Sequence, residues 1–330
     1  MIQLPIVDTH CDLLSYLASV PGARADKTED IACAIPFLKK GNVKLQILAI
    51  FTDVVPGSMD FASKQVTHFQ EILKTFSNDL QYADKDFLAG IANQQKIGVV
   101  TSIESASGLA NETVPIQTAI DNLDRIIEKT GRVAYISLTH HKENRFGGGN
   151  YTEGIGLKDD GKRLLDYMAI KNVPVDLSHT SDLLAEGILK HIDKENLEVP
   201  VLASHSNFRS IWNHKRNLTD EFVKEIIHRK GLIGVNFLRA FLDNDNPDRI
   251  YYHILYGLEK AAEDQICFGA DYFYTVGFAD IGREPFYFPN VENAGKYPDV
   301  LTTLAGRMSS KQLEKLAFKN AQNFFSRVWS

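Results

Sequence analysis

The amino-acid sequence predicts an α/β protein, a TIM-type (β/α)8 barrel. Three observations predict it. Eight short apolar runs alternate along the chain with longer segments of helical spacing, the pattern of a parallel sheet. The runs are mostly apolar throughout rather than alternating, as strands covered on both faces are. Polar residues of catalytic type fall at the C-terminal ends of the runs, where such barrels carry their chemistry. An open doubly wound sheet is the competing arrangement.

In order, the strands are read at residues 5–10, 43–51, 97–103, 133–139, 173–177, 199–203, 232–236 and 266–269. Helical spacing lies between them, for example at 61–76, 116–129, 160–171 and 219–229. Thr219 is placed to cap the last of these, although Phe222 stands where a capping box would carry Glu. Residues 309–328 read as an amphipathic helix capped by Ser309 or Ser310. Its stripe of Leu313, Leu316, Ala317, Ala321 and Phe324 is core packing. Residues 272–298, rich in Phe, Tyr, Gly and Pro, read as a long loop after the last strand. No linker or repeat divides the chain, so residues 1–330 are expected to form one barrel domain.

The chain of 330 residues is 44% hydrophobic and 24% charged, with a formal net charge of −6. Its scattered basic residues argue against a nucleic-acid partner and suit an anionic membrane surface poorly. Cys11, Cys33 and Cys267 match no zinc ribbon or redox motif and are expected as reduced thiols. The first residues lack the basic and apolar regions of a secretory leader, and no apolar run approaches a membrane span. The expected location is the cytoplasm. The oligomeric state is not set by the sequence; a homodimer is compatible with it.

The chemistry concentrates at the strand ends. The first strand ends in Asp8-Thr9-His10-Cys11-Asp12. Strand alternation sends His10 and Asp12 one way and Cys11 the other, so the pair can hold one metal ion, although a His-x-Asp alone also fits a surface turn. Glu104 follows an apolar strand directly. It is either a helix-capping carboxylate or a ligand whose two oxygens bridge two metals. The fifth and sixth strands both end in Ser-His, giving His179 and His205. Three histidines and two carboxylates at one barrel mouth suit zinc. His140, Asp271 and Arg216 sit at the same rim; a structural salt bridge is the plainer reading of Asp271, and a solvated charge that of Arg216. His141 would point opposite to His140 if the strand continues, and His68, His191, His214, His228 and His253 are taken as background. Gly147-Gly148-Gly149 lacks the Gly-Lys-Ser/Thr ending of a phosphate loop and is expected to be a mobile rim loop. Ser204 and Ser206 lie in no nucleophile elbow, which disfavours a serine hydrolase.

These stretches resemble the membrane (renal) dipeptidase family of zinc dipeptidases. The matching motifs are Asp8 to Asp12, Ile103-Glu104, Leu138-Thr139-His140, Asp176-Leu177-Ser178-His179, Ser204-His205-Ser206, Arg216-Asn217-Leu218-Thr219-Asp220 and Gly269-Ala270-Asp271, with Lys296-Tyr297-Pro298-Asp299 also fitting. The resemblance implies a metal-dependent hydrolase with two zinc ions per chain. His10 and Asp12 would hold one ion, His179 and His205 the other, with Glu104 bridging. His140 and Arg216 would bind substrate, and His140 and Asp271 would be catalytic. The implied activity is hydrolysis of small dipeptides with a free C-terminal carboxylate, by a hydroxide shared between two metals. Two departures from the family bear on the side-chain pocket. Ser105-Ala106 replaces the usual Gly-Gly after the bridging glutamate, and Tyr272-Phe273-Tyr274 replaces Phe-Asp-Gly after the catalytic aspartate. The segment from Tyr274 to Gly295 diverges as well. The alternatives are another amidohydrolase-type reaction on the same site (lactonase, deaminase or phosphotriesterase) or a non-catalytic binding protein.

Overall fold

The computed structural model describes residues 2–277 and 283–329; the rest of the divergent segment, 278–282, lies outside the described residues. Eight parallel strands close into a barrel. They are β1 (Ile6–Cys11), β2 (Val43–Phe51), β3 (Ile97–Glu104), β4 (Val133–Ser137), β5 (Val175–Asp176), β6 (Val201–Ala203), β7 (Leu232–Val235) and β8 (Ile266–Phe268). Each pairs with its neighbours in sequence, β8 returns to β1, and the remaining helices surround the ring. Every residue of β1, β3, β4, β7 and β8 is buried, as parallel strands between helices and lumen must be. A further three-residue strand, Leu80–Tyr82, pairs with β3 ahead of β4. The sequence reading omitted it, because a three-residue run carries no period.

The strength of the ladder differs around the ring. β2 and β3 stay in register over seven pairs, from Leu45 opposite Gly98 to Phe51 opposite Glu104. β5 has only two residues in the sheet. The sequence reading began β5 at residue 173 and β6 at residue 199. Both start later, because Pro174 and Pro200 have no N–H to donate. Their carbonyls still accept, from Ile136 and Val175 respectively.

The helices follow their caps. Ser181 accepts from the Leu184 amide and Thr219 from the Phe222 amide. Ser309 forms a full capping box with Gln312. The C-terminal segment is helical through Val328, with one wider turn at Lys315–Lys319, and its apolar stripe is buried as expected.

The lumen is crowded at β1. Pairing with β2 slips between Asp8 and Cys11, so strict alternation does not hold there. Thr9 donates to the Ser204 and Phe268 carbonyls, while His10 reaches Glu104. A Cβ on Gly234 would overlap the Ser204 carbonyl oxygen and press on Thr9 Oγ1. Gly234→Ala is therefore expected to lower stability by about 1–3 kcal/mol or more. A urea denaturation midpoint equal to wild type would contradict this close approach.

Candidate metal centre and active site

All five ligand-type residues named from the sequence converge at the C-terminal mouth of the barrel. Glu104, the last residue of β3, stands in the middle. Its Oε2 is 3.1 Å from His10 Nε2. Its Oε1 is 2.7 Å from His179 Nε2 and 3.4 Å from His205 Nε2. Asp12 Oδ2 lies 3.8 Å from His10 Nε2. The carboxylate thus faces two groups, His10 with Asp12 and His179 with His205, one through each oxygen. His179 takes a left-handed backbone at φ 66°, as does Asp271 at φ 64°. Such values for non-glycine residues cluster at functional sites.

Neighbouring side chains fix the histidine tautomers. Tyr135 donates its only hydrogen to the Thr9 carbonyl at 2.7 Å. Its oxygen, 2.8 Å from His10 Nδ1, must then accept, so His10 Nδ1 carries a proton and Nε2 is the nitrogen turned to Glu104 and available to a metal in its place. Ser204 Oγ donates to Asp176 Oδ2 at 2.6 Å and lies 2.7 Å from His205 Nδ1, which gives His205 the same orientation. Asp176 also accepts from Ser137 Oγ and from the Ser178 and Ser204 amides. This relay from carboxylate through hydroxyl to imidazole is the arrangement that orients metal-binding histidines. The sequence reading gave Tyr135 and Asp176 no role. A carboxylate inside an apolar strand was the available signal, since a buried charge needs partners.

Electrostatics make the same point. Asp12, Glu104 and Asp271 lie around His10, and no Lys or Arg forms an ion pair with any of them among the described residues. Burial and the charge of Glu104 push Asp12 well above the usual carboxylate range. Burial opposes ionisation of Glu104, but His10 and His179 hold it well below that range. Burial disfavours the His10 imidazolium, yet Glu104 beside it drives the group up to about 10. Burial lowers His179 and His140 well below an ordinary histidine and His205 to about 4, leaving neutral imidazoles. Asp12 Oδ1 and His179 Nδ1 are buried without a hydrogen-bond partner. Clustered carboxylates, neutral imidazoles and orphaned donor atoms together fit divalent metal ions.

The remaining sequence-named residues surround this centre. Asp271, just past β8, has Oδ1 3.7 Å from His10 Nε2. Its Oδ2 accepts from Asn236 Nδ2 at 2.7 Å. Asn236 is held in turn by the Asn207 side chain and also donates to the His205 carbonyl; the sequence reading missed it. Arg216 is 3% exposed. It donates from Nη1 to Ser206 Oγ and from Nη2 to the His205 carbonyl, both at 3.1 Å. Its guanidinium lies 5.2 Å from the Phe241 ring centroid. Its Nε has no partner, and no carboxylate pairs with it among the described residues.

Three expectations need correction. His141 does not point away: its ring lies 3.9 Å from His140 and 4.9 Å from His179. β4 ends at Ser137, so strand alternation does not govern residues 140 and 141. His214 is not background either; it packs on Phe241, and its Nδ1 accepts from the Arg216 amide. Gly147-Gly148-Gly149 is buried rather than a free rim loop, bridged to Asn144 and Thr180, with the His140 carbonyl too close to Gly149 to admit a Cβ. His253 is buried against the Phe208 amide and the Leu242 carbonyl, and His68 and His191 pair with surface carboxylates.

A cavity of about 210 Å³ opens over the centre, lined among others by Asp12, Glu104, His140, His141, His179 and Asp271. That is small beside the roughly 300–1,000 Å³ of typical small-molecule sites, so it favours a short substrate.

Comparison with known proteins agrees with this architecture. An uncharacterized dipeptidase of Schizosaccharomyces pombe is 27% identical over 280 residues, covering 81% of this chain and 61% of the relative. The chain thus spans less than two thirds of that protein. The dipeptidase tcpJ of Claviceps purpurea is 23% identical over 320 residues, 90% of this chain and 70% of its own length. A metallopeptidase from Rhodobacter sphaeroides, solved with a phosphinate mimic of the dipeptide L-Ala-D-Ala, superposes with a TM-score of 0.84 at 17% identity. The superposition covers 99% of this chain and all of that one (100%). The profile of the membrane dipeptidase family matches residues 1–330, and the chain belongs to that family, peptidase family M19.

Proposed function

We propose that this protein is a zinc-dependent dipeptidase that hydrolyses small dipeptides with a free C-terminal carboxylate. The observation that carries the reading is the division of Glu104, with one oxygen toward His10 and Asp12 and the other toward His179 and His205. Family membership, the dipeptidases among its relatives and the dipeptide mimic bound by the Rhodobacter enzyme support it. When bound at these residues, two zinc ions would supply an acidified water and polarise the scissile carbonyl.

The protein's own groups do the rest. Asp271 takes the proton released at the attacking oxygen and passes it to the leaving amine. His140, kept neutral by burial, offers a hydrogen bond to the carbonyl oxygen as it gains charge, a contribution worth roughly 3–4 kcal/mol in other enzymes. Arg216, buried beside the centre without a carboxylate of its own, receives the substrate's C-terminal carboxylate.

Purified protein supplied with zinc is expected to hold close to two ions per chain, and His179→Ala to lose one. Elemental analysis settles this, with dipeptide hydrolysis followed in parallel. Absence of metal after zinc supplementation would sink the dinuclear reading. Turnover of lactones or phosphotriesters but not dipeptides would move the reaction elsewhere in the same chemistry.

A further inference from the structure

We infer that the cavity contains a subsite for a large apolar side chain on the C-terminal residue of the substrate, so that dipeptides ending in an aromatic or branched aliphatic residue are preferred. The inference rests on the dipeptidase reading above and adds to it the class of dipeptide.

One wall of the cavity is apolar and built from two segments: Leu238 and Phe241 follow β7, and Phe273 and Phe286 follow β8. The segments are stitched together. The Arg239 amide donates to the Phe286 carbonyl at 2.8 Å, Leu238 and Tyr287 form a β-bridge, and the Phe273 and Phe286 rings meet edge to face at 5.5 Å. Tyr287 donates to the Asp271 carbonyl at 2.5 Å and accepts from the Phe273 amide. The wall is therefore fixed to the residue assigned to proton transfer, and it is preformed, so a side chain that fills it incurs little ordering cost.

Its position selects the end of the substrate. Phe241 lies against the Arg216 guanidinium at 5.2 Å. A dipeptide with its carboxylate on Arg216 and its scissile carbonyl beside Glu104 has only one α-carbon between those points, that of the C-terminal residue. The side chain on that carbon is the one nearest Phe241 and its neighbours. The rest of the lining mixes Ser15 and Ser19, from the helix Leu13–Ser19, with Phe51 and Tyr274, so it is the contact of Phe241 with Arg216 that assigns the apolar wall to the C-terminal residue. Burying a leucine or phenylalanine side chain corresponds to about a ten- to hundredfold gain in kcat/KM.

The test is kcat/KM of the zinc-loaded enzyme for Ala-Gly, Ala-Ala, Ala-Leu, Ala-Phe and Phe-Ala, each chiral C-terminal residue in both L and D form. Ala-Leu and Ala-Phe are expected to exceed Ala-Gly by at least tenfold in one configuration, and Phe-Ala to stay within a few fold of Ala-Ala. Phe286→Ala and Leu238→Ala are each expected to lower the Ala-Phe to Ala-Gly ratio at least fivefold, whatever they do to Ala-Gly itself. Flat rates across the Ala-X series, or a preference for Phe-Ala, would overturn the subsite while leaving the dipeptidase reading intact. No hydrolysis of any of these dipeptides overturns that reading, and the subsite with it.

Discussion

Asp271→Asn is expected to keep both metal ions and to lose about a hundred- to ten-thousandfold in kcat/KM, the range that a positioned proton carrier contributes. Asparagine is the informative replacement. It matches aspartate in size, and it tolerates the left-handed backbone at this position, φ 64°, where alanine would add strain. Its amide oxygen can still accept from Asn236 Nδ2, as Asp271 Oδ2 does at 2.7 Å. What it cannot do is take up a proton and pass it on. Metal content measured beside the rate separates two roles. A retained pair of ions with a lost rate supports proton transfer, whereas loss of an ion would place Asp271 among the ligands beside His10, from whose Nε2 it lies 3.7 Å. Unchanged turnover would remove the assigned role altogether.

Amidation of the substrate's C-terminus is expected to reduce kcat/KM by about tenfold to a hundredfold. The basis is Arg216. Burial makes its charge less favourable than in water, an effect that Asp271 and Glu104 offset only in part, and among the described residues no carboxylate forms an ion pair with it. Two of its N–H groups meet neutral oxygens on Ser206 and the His205 backbone, and Nε meets none. A buried guanidinium in this condition gains more from an incoming anion than an exposed one would. One charge-assisted hydrogen bond is worth about 1.5–3 kcal/mol, which sets the range at about tenfold per 1.4 kcal/mol. Arg216→Lys keeps the charge and loses the fork, and should fall between wild type and Arg216→Ala. In Arg216→Ala the distinction between acid and amide should largely vanish. Equal rates for acid and amide in the wild-type enzyme would refute carboxylate recognition.

The fold was legible wherever local signals were strong. β2 runs from Val43 to Phe51 as read, because an apolar run bounded by Asn42 and Thr52 leaves little choice. β5 and β6 were read too long because apolar character was weighed above the missing donors of Pro174 and Pro200. The convergence of the five ligand-type residues was legible because each lies at or within three residues of the C-terminal end of a strand, and barrel closure brings all those ends to one mouth. Tyr135, Asp176 and Asn236 were not. Their roles depend on which strands become neighbours and on a hydroxyl or amide finding its partner there, and no periodicity within one segment records that. His141 faces the site because the strand stops at Ser137, so the condition under which the period of two would turn it away is not met.

The uneven ladder has a consequence for how the protein responds to metal. Seven paired residues between β2 and β3 make one arc of the ring self-supporting, and Glu104 is its last rung. The opposite arc, with two residues of β5 and three of β6, leans on the side-chain contacts of Asp176 and delivers His179 and His205. Ions held between Glu104 and those histidines would therefore act as cross-braces from a stiff arc to a soft one. Their stabilisation adds to folding by mass action but falls unequally. In amide hydrogen exchange, chelation should loosen the backbone around β5 and β6 well before it reaches β2 and β3.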